Sequence, residues 1–322
     1  MKTEIQNKNI SINTNRLNRG KTRNKGLMKE SLQCYAMLAP MLIGFGLFTI
    51  YPMYWLIHWA FFNYDGIAFA TFTGFDNFIR VFTRDPAYWA SLLNTLIIVS
   101  AKMFIQMPLA LVLAVLLNKS TRVNSFFRTA FFMPTIISTA IVGLVFFMMF
   151  NPYQGIVNGL LQVVGVKNPI NWFNNRWLAD GVIVIAEVWK NFGLNMIFFL
   201  MGLQSIPNEL YECSDIDGAS KRVQFFKITL PMLSPITKVV VMLSMVGSMK
   251  VVDLILVLTN GQPGGQTEVI MTYVFKYFFS YGVADSTNQY GYASALAVVT
   301  ALVLAVLTMV YFRATKKMGD IY

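Results

Sequence analysis

Six long apolar runs separated by polar links constrain this chain more than any other feature. Each run has at least 20 residues, which is about the length that an α-helix needs to cross a bilayer. Hydrophobic residues make up 56% of the 322 residues and charged residues only 13%, and the mean hydropathy is +0.54. This composition excludes an ordinary soluble globule. The sequence therefore predicts an all-α, polytopic membrane protein with six transmembrane helices, at 37–62, 92–117, 129–150, 181–203, 239–258 and 292–312.

The basic residues are distributed by side of the predicted membrane. The N-terminal tail, the links at 118–128 and 204–231 and the C-terminal tail hold 17 Lys and Arg, whereas the three opposite links hold five. Because cytoplasmic links carry the excess of bases, both termini and the 204–231 link are predicted to be cytoplasmic. We expect residues 1–31 to form a disordered basic tail and residues 32–322 to form the transmembrane domain. The net charge of +11 forms no groove-sized patch, so membrane lipid and not nucleic acid is the expected partner.

The link at 204–231 carries more ionisable groups than any other interior segment. Four acids come first, then Gly218, then three bases, namely Lys221, Arg222 and Lys227. Pro207 suits the first turn of a helix, Gly218 suits a left-handed turn, and Ser220 suits the cap of a second helix. The pattern predicts a short helix, a tight turn and a second short helix that stops before Pro231.

The same link resembles the cytoplasmic coupling loop of bacterial ABC-importer permeases, known as the EAA motif. Its three elements stand here as Glu212-Cys213-Ser214, Asp217-Gly218-Ala219 and Ile228-Thr229-Leu230-Pro231. Cys213 and Ser214 replace the usual alanines with other small residues. The resemblance implies that this loop contacts a separate ATPase through Glu209, Glu212, Asp215, Asp217, Gly218, Ala219, Leu230 and Pro231.

This resemblance carries further expectations. It implies the type I ABC-importer permease fold in the bacterial inner membrane, with no enzymatic activity and no cofactor or metal in this chain, because ATP and magnesium would bind to the partner. The expected partners are a second homologous permease subunit, a cytoplasmic ATPase dimer and an extracytoplasmic solute-binding protein. The segments 73–78, 189–195 and 259–265 are similar to those of carbohydrate permeases, which implies a sugar or oligosaccharide as substrate.

Several charged residues fall inside the predicted spans. Charges at membrane depth cost at least about 2.5 to 3.5 kcal/mol each, so they normally face a partner or a watery cavity. Their positions place Glu187, Lys190, Lys250 and Asp253 at comparable depth. We expect a hydrophilic substrate pathway lined by Lys102, Glu187, Trp189, Lys190, Asn191, Asn195, Lys250 and Asp253.

Alternatives remain at this point. Glu187 with Lys250, or Lys190 with Asp253, could simply be ion pairs that hold adjacent helices together. The spacing of three residues within each helix also allows a bridge inside one helix. The chain could also be a secondary transporter driven by an ion gradient, although no inverted repeat is apparent and the 204–231 link would then be unexplained. A membrane scaffold is a third possibility, but a scaffold would not need charges at depth.

Overall fold

The fold is that of a computed structural model, which describes residues 33–67, 69–279 and 288–316. The basic tail predicted at 1–31 lies outside the described residues. The helices, in chain order, are α1 Gln33–Trp59, α2 Asp76–Thr83, α3 Pro86–Leu116, α4 Arg122–Ile136, α5 Thr139–Met149, α6 Ile156–Val163, α7 Arg176–Gln204, α8 Asn208–Ile216, α9 Lys221–Met232, α10 Ser234–Met249, α11 Asp253–Leu258, α12 Ile270–Phe279 and α13 Tyr290–Thr315. Two short strands, β1 Phe62–Asn63 and β2 Thr71–Phe72, pair antiparallel.

These helices provide four straight candidate membrane spans, and six when each of two bent helix pairs is counted as one span. Helices α1, α3, α7 and α13 are each long and apolar enough to cross a membrane, and the pairs α4–α5 and α9–α10 pass the same test with bends of 96° and 63°. The all-α, six-span expectation is therefore confirmed. The bend inside the run predicted at 129–150 was not expected, and it lies at Ile137 and Ser138, between α4 and α5.

The fifth predicted span, 239–258, is wrong as a single helix. The span is made by α9 and α10, and α10 ends at Met249. Residues Lys250 to Val252 then leave the helical path, and α11 is a separate short helix. The hydrophobic run continued across this break because Val251 and Val252 are apolar, so composition alone could not reveal it.

Most spans begin earlier than hydropathy predicts, because polar residues cap their first turns. Asp85 caps α3 by accepting from the Tyr88 N–H at 3.2 Å, with Pro86 at the first helical position. Thr121 caps α4 and Asn175 caps α7 in the same way. These caps satisfy N–H groups that the first helical turn leaves without partners.

Helix α1 belongs to a unit that ends at His58, and the remaining helices belong to a second unit. Within the second unit α7 is the central helix, and it packs against α3, α4, α5 and α10. Its first half contributes Val182, Ile183 and Ala186 to an apolar cluster with α5 and α11, here called cluster 1. Its second half contributes Met196, Phe199 and Leu203 to an apolar cluster with α3 and α10, here called cluster 2.

A network centred on Asp85 joins α3, α12 and α13. The Asp85 carboxylate accepts from the Tyr273 hydroxyl at 2.7 Å and also from the Tyr292 hydroxyl. The Arg80 guanidinium lies 3.7 Å from the centre of the Tyr292 ring. Burial raises the pKa of Tyr273 above its ordinary value, as do Tyr277 and Asp85, so this hydroxyl stays a donor. Helix α12 packs against α3 and α13.

Replacement of Gly193 should test the packing of α4 on α7. A Cβ at Gly193 would overlap the Phe131 carbonyl group, which is backbone and cannot swing away. We expect Gly193→Ala to lower the free energy of unfolding by about 1 to 3 kcal/mol or more, as overpacking does. Gly181 on the same helix has open space around it, so Gly181→Ala should stabilise by about 1 kcal/mol at most. Thermal unfolding of the two purified variants in detergent measures whether each midpoint lies above or below that of the parent protein. Equal midpoints for the two variants would contradict the close approach of Gly193 to the Phe131 carbonyl.

Candidate functional site

One face of α7 is polar where the helix passes between clusters 1 and 2. Its cavity-facing residues follow helical spacing at i, i+3, i+4, i+7, i+8 and i+11, and they are Glu187, Lys190, Asn191, Leu194, Asn195 and Phe198. Three of the four polar residues among them, Glu187, Asn191 and Asn195, form a stripe with four-residue spacing. Such a stripe is expensive in an apolar bundle unless each group has a partner or a ligand.

Two neighbouring helices complete the lining. Helix α3 contributes Lys102 and Gln106, one turn apart, and α10 contributes Ser244 and Ser248 at the same spacing. Lys102 lies 16 residues from Pro86 and 14 from Leu116, so it is at the middle of its span. The break after α10 adds Lys250 and Asp253, and the resulting cavity has a volume of about 500 Å³.

The strongest contact in the cavity is an ion pair between α3 and α7. The Lys102 ammonium donates to Glu187 Oε2 at 2.7 Å and to the Ser248 hydroxyl at 2.7 Å. Both charged residues are only 3% exposed. Asn191 donates to the same Glu187 oxygen at 3.2 Å. The structure thus pairs Glu187 with Lys102 on α3, and not with Lys250 or Lys190, which the sequence had left open as alternative partners.

A second polar contact joins α7 to α10. The Asn195 amide nitrogen donates to the Ser244 hydroxyl at 2.8 Å, and the same hydroxyl donates to the Asn195 amide oxygen at 3.0 Å. Three spans are thus connected by polar contacts at one level: α3 to α7, α3 to α10 and α7 to α10.

The structure brings seven of the eight predicted pathway residues to this cavity. Trp189 is the exception, because its ring lies on another face of α7 and contacts Phe146 with centroids 5.7 Å apart. Four polar lining residues were not predicted from the sequence, namely Gln106, Thr139, Ser244 and Ser248. The signal was present for two helices, because Lys102 with Gln106 and Ser244 with Ser248 are polar pairs spaced by four residues within apolar runs.

The 204–231 link folds into the predicted helix, turn and helix. Helix α8 ends in a Schellman motif, in which the Ala219 N–H donates to Ser214 O at 2.9 Å and the Gly218 N–H donates to Asp215 O at 3.1 Å. Gly218 has φ +74°, the left-handed conformation that this motif requires and that glycine adopts without strain. Ser220 then caps α9.

Side chains hold together the two arms of this helix-turn-helix, which are α8 and α9. The unit from Asn208 to Met232 is here called the elbow. Lys221 donates to Asp215 Oδ1 at 3.0 Å, and Gln224 donates to the same oxygen. Farther from the turn, the Tyr211 and Thr229 hydroxyls lie 2.9 Å apart. Hydrogen bonds from Lys221 and Gln224 lower the pKa of Asp215 below its ordinary value of 3.8. The ionised Asp215 carboxylate therefore stabilises the fold at every pH above its ordinary pKa. This stabilisation is lost only as the pH falls through the lowered pKa. The contacts of Asp215 with Lys221 and Gln224, here called the Asp215 clasp, are thus intact at neutral pH.

The second arm does not stop before Pro231, which corrects that prediction. A π-helical turn, Phe225–Thr229, connects Lys221–Gln224 to Leu230–Met232. Leu230 donates to Phe225 O across five residues, and this wider turn carries the chain through Pro231, which has no N–H to donate. The arm then leads directly into α10.

The elbow is exposed. No residue of α8 is buried, and the apolar side chains of Ile216 and Phe226 are 86% and 63% exposed. The predicted acids lie among them: Glu209, Glu212, Asp215 and Asp217 are all exposed, as are Gly218 and Leu230, while Ala219 and Pro231 are half-buried.

Comparison with known proteins identifies the family. Residues 106–318, which include the elbow and every lining residue of the cavity except Lys102, match the model of the binding-protein-dependent transport system inner membrane component. The chain belongs to this family of permeases.

The permease has curated relatives that align over nearly the whole chain. The probable ABC transporter permease protein YesP of Bacillus subtilis is 32% identical over 295 residues, 91% of this chain and 93% of that protein. The trehalose/maltose transport system permease protein MalF of Thermococcus litoralis is 32% identical over 296 residues, 91% of this chain and 96% of that protein. The arabinooligosaccharides transport system permease protein AraP of Bacillus subtilis is 30% identical over 281 residues, 86% of each chain.

A solved structure has the same fold as the permease. It is the crystal structure of a bacterial ABC transporter involved in the import of the acidic polysaccharide alginate, and it superposes with a TM-score of 0.78 at 25% identity over 92% of this chain and 99% of that chain. The permease therefore has the type I ABC-importer permease fold, as the EAA-like motif implied.

Proposed function

We propose that this permease subunit carries a sugar or oligosaccharide across the bacterial inner membrane through the cavity between α3, α7 and α10. The observation that carries the proposal is the polar layer at mid-span, held between two apolar clusters. Polar groups are costly at this depth, so a polar cavity there favours a hydrophilic passage. Its volume of about 500 Å³ lies within the usual range for small-molecule sites, about 300 to 1,000 Å³.

The lining suits a substrate rich in hydroxyl groups. Amide, hydroxyl and charged side chains supply donors and acceptors at fixed positions, which is what recognition of sugar hydroxyls requires. The similar proteins named above transport trehalose and maltose, arabinooligosaccharides and alginate. They include carriers of both neutral and acidic saccharides, so the charge of the substrate has to be inferred from the cavity itself.

The elbow is proposed to be the contact for a separate ATPase dimer, which would bind ATP and magnesium, while this chain catalyses no reaction. Its exposed acids and apolar side chains around Ile216 suit a docking surface, and its Schellman motif and Asp215 clasp suit a rigid one. The coupling residues are those implied by the EAA resemblance. With this assignment, the elbow and both termini would face the cytoplasm. Residues 1–31 would form a cytoplasmic tail, and residues 32–322 would form the transmembrane domain, of which the elbow is a cytoplasmic loop.

Closure of the ATPase would be transmitted along the chain. The elbow continues through α9 into α10, and α10 carries Ser244 and Ser248, which bond to the α7 and α3 sides of the cavity. Movement of the elbow would therefore shift one wall of the cavity against the others. A second permease subunit would complete the passage, and an extracytoplasmic solute-binding protein would deliver the sugar.

Reconstitution tests this proposal. The permease is purified from its native membrane with the subunits that accompany it and placed in vesicles with a radiolabelled sugar mixture. We expect uptake only when ATP and a solute-binding protein are both supplied. Uptake by this chain alone, driven by a proton or sodium gradient, would replace the proposal with a secondary transporter.

A further inference from the structure

Most polar groups of the cavity are already engaged with one another. The Lys102 ammonium is held by Glu187 and Ser248, and Asn191 donates to Glu187. Asn195 and Ser244 satisfy each other. The charges of Lys102 and Glu187 cancel, so this part of the lining is neutral and has little hydrogen-bonding capacity left for a substrate.

Four other groups remain available. Gln106 is fully buried, and neither its amide nitrogen nor its amide oxygen has a hydrogen-bond partner within the described part of the chain. Lys190, Lys250 and Asp253 also line the cavity, and none of them takes part in the ion pairs that the described residues form. A buried amide without partners costs free energy, which a ligand with donors and acceptors would recover.

The available charges do not balance. Two ammonium groups, Lys190 and Lys250, stand against one carboxylate, Asp253, which leaves a net charge of +1 beside a neutral pair. Lys250 and Asp253 are exposed and Lys190 is half-buried, so the excess positive charge faces the open part of the cavity, where it attracts an anion. A carboxylate such as Asp253 accepts from sugar hydroxyls, whereas the lysines match a carboxylate on the substrate.

We propose that this cavity selects an acidic saccharide, a sugar that carries a carboxylate, with Lys190 and Lys250 as its specificity-determining cations. Asp253 and Gln106 then bind hydroxyl groups of the same molecule. This inference rests on the proposed sugar-import function and adds the substrate class to it.

The first experiment does not require the sugar to be known. Cells with the complete transporter and cells lacking this chain are given a plant and algal polysaccharide hydrolysate that contains neutral and uronate-bearing oligosaccharides. Anion-exchange chromatography of the medium then separates the two classes. We expect depletion that depends on this chain to be confined to the retained, acidic fraction. Depletion of the neutral fraction would overturn the inference and leave sugar import standing, whereas depletion of neither fraction would contradict sugar import itself.

The second experiment tests the two lysines. Lys190→Gln and Lys250→Gln should each raise the half-saturating concentration for the depleted acidic saccharide by about tenfold, the value of one charge-assisted hydrogen bond. Lys250→Arg should retain most of the affinity because it keeps the charge. Lys238→Gln is the matched control, since Lys238 is on α10 and outside the cavity lining. Equal quantities of membrane-inserted protein must be compared, and unchanged affinity in both cavity variants would reject the assignment.

Discussion

Gly218→Val should abolish ATP-driven uptake while the permease still inserts into the membrane. A β-branched residue strongly disfavours the φ of +74° that Gly218 adopts. The elbow would lose its Schellman motif, and α8 would be reoriented relative to α9. We expect uptake to fall by at least about tenfold and ATP hydrolysis by the assembled complex to continue without it, because the ATPase would no longer move α10.

The chain offers matched controls for this variant. Gly218→Asn changes the same position but tolerates the left-handed conformation, and no atom lies within 4 Å of the position that a new Cβ would occupy. It should retain most of the uptake. Asp217→Arg separates shape from charge, because Asp217 is exposed at the end of α8 and its reversal should weaken docking without unfolding the turn.

Vesicles made with each variant decide between the outcomes, with uptake and ATP hydrolysis measured on the same sample. Full transport by both Gly218→Val and Asp217→Arg would reject the coupling role of the elbow. Poor insertion of Gly218→Val together with normal insertion of Gly218→Asn would show that the turn is needed for folding instead.

The sequence predicted the elbow better than it predicted the spans around it. The turn at Gly218 and the cap at Ser220 depend on local backbone chemistry, which is written in a few adjacent residues. The continuation through Pro231 depends on the π-helical turn at Phe225–Thr229, for which no composition rule exists. Proline is normally read as an end of a helix, so that prediction failed where the backbone changed its hydrogen-bonding pattern.

Pairing across helices could not be predicted at all. Depth along each span correctly placed Glu187 near Lys250 and Asp253 in one cavity, but it contains no information on which helix faces which. Lys102 became the partner of Glu187 because α3 has its most extensive packing with α7. Trp189 illustrates the same limit. Its neighbour Lys190 faces the cavity, and adjacent residues of a helix point in different directions, so Trp189 cannot face the cavity as well.

Helix α10 connects the elbow to the cavity. Ser244 and Ser248 on α10 bond to Asn195 and Lys102, and α10 begins two residues after α9 ends. Under the proposed coupling, movement of the elbow would shift α10 and would change these polar contacts. Coupling requires contacts whose free energy differs between two conformations of the transporter. The hydrogen bonds from α10 to Asn195 and Lys102 are contacts that could differ in this way.

Glu187→Gln should destabilise the permease far more than Asp253→Asn, a change of the same kind at another carboxylate of the cavity lining. It leaves the buried Lys102 ammonium without its counter-charge, and removing one member of a buried ion pair costs about 3 to 5 kcal/mol. Asp253→Asn is the control, because Asp253 is exposed and outside the ion pairs of the described residues. It should change uptake of the substrate more than it changes assembly.

The double variant Lys102→Met with Glu187→Leu distinguishes a structural pair from a transport residue. Two apolar side chains of similar size can replace a buried ion pair at little cost or with a gain, so the double variant should recover most of the stability that Glu187→Gln loses. Unfolding in a denaturing detergent, measured for the parent, Lys102→Met, Glu187→Leu and the double variant, gives the coupling free energy between the two positions. Uptake by the double variant then has a clear meaning, because a folded but inactive protein would assign the pair to the passage, whereas a folded and active one would assign it to holding α3 against α7. If Glu187→Gln alone is as stable as the parent, the 2.7 Å contact contributes nothing and the proposed joint between these spans is wrong.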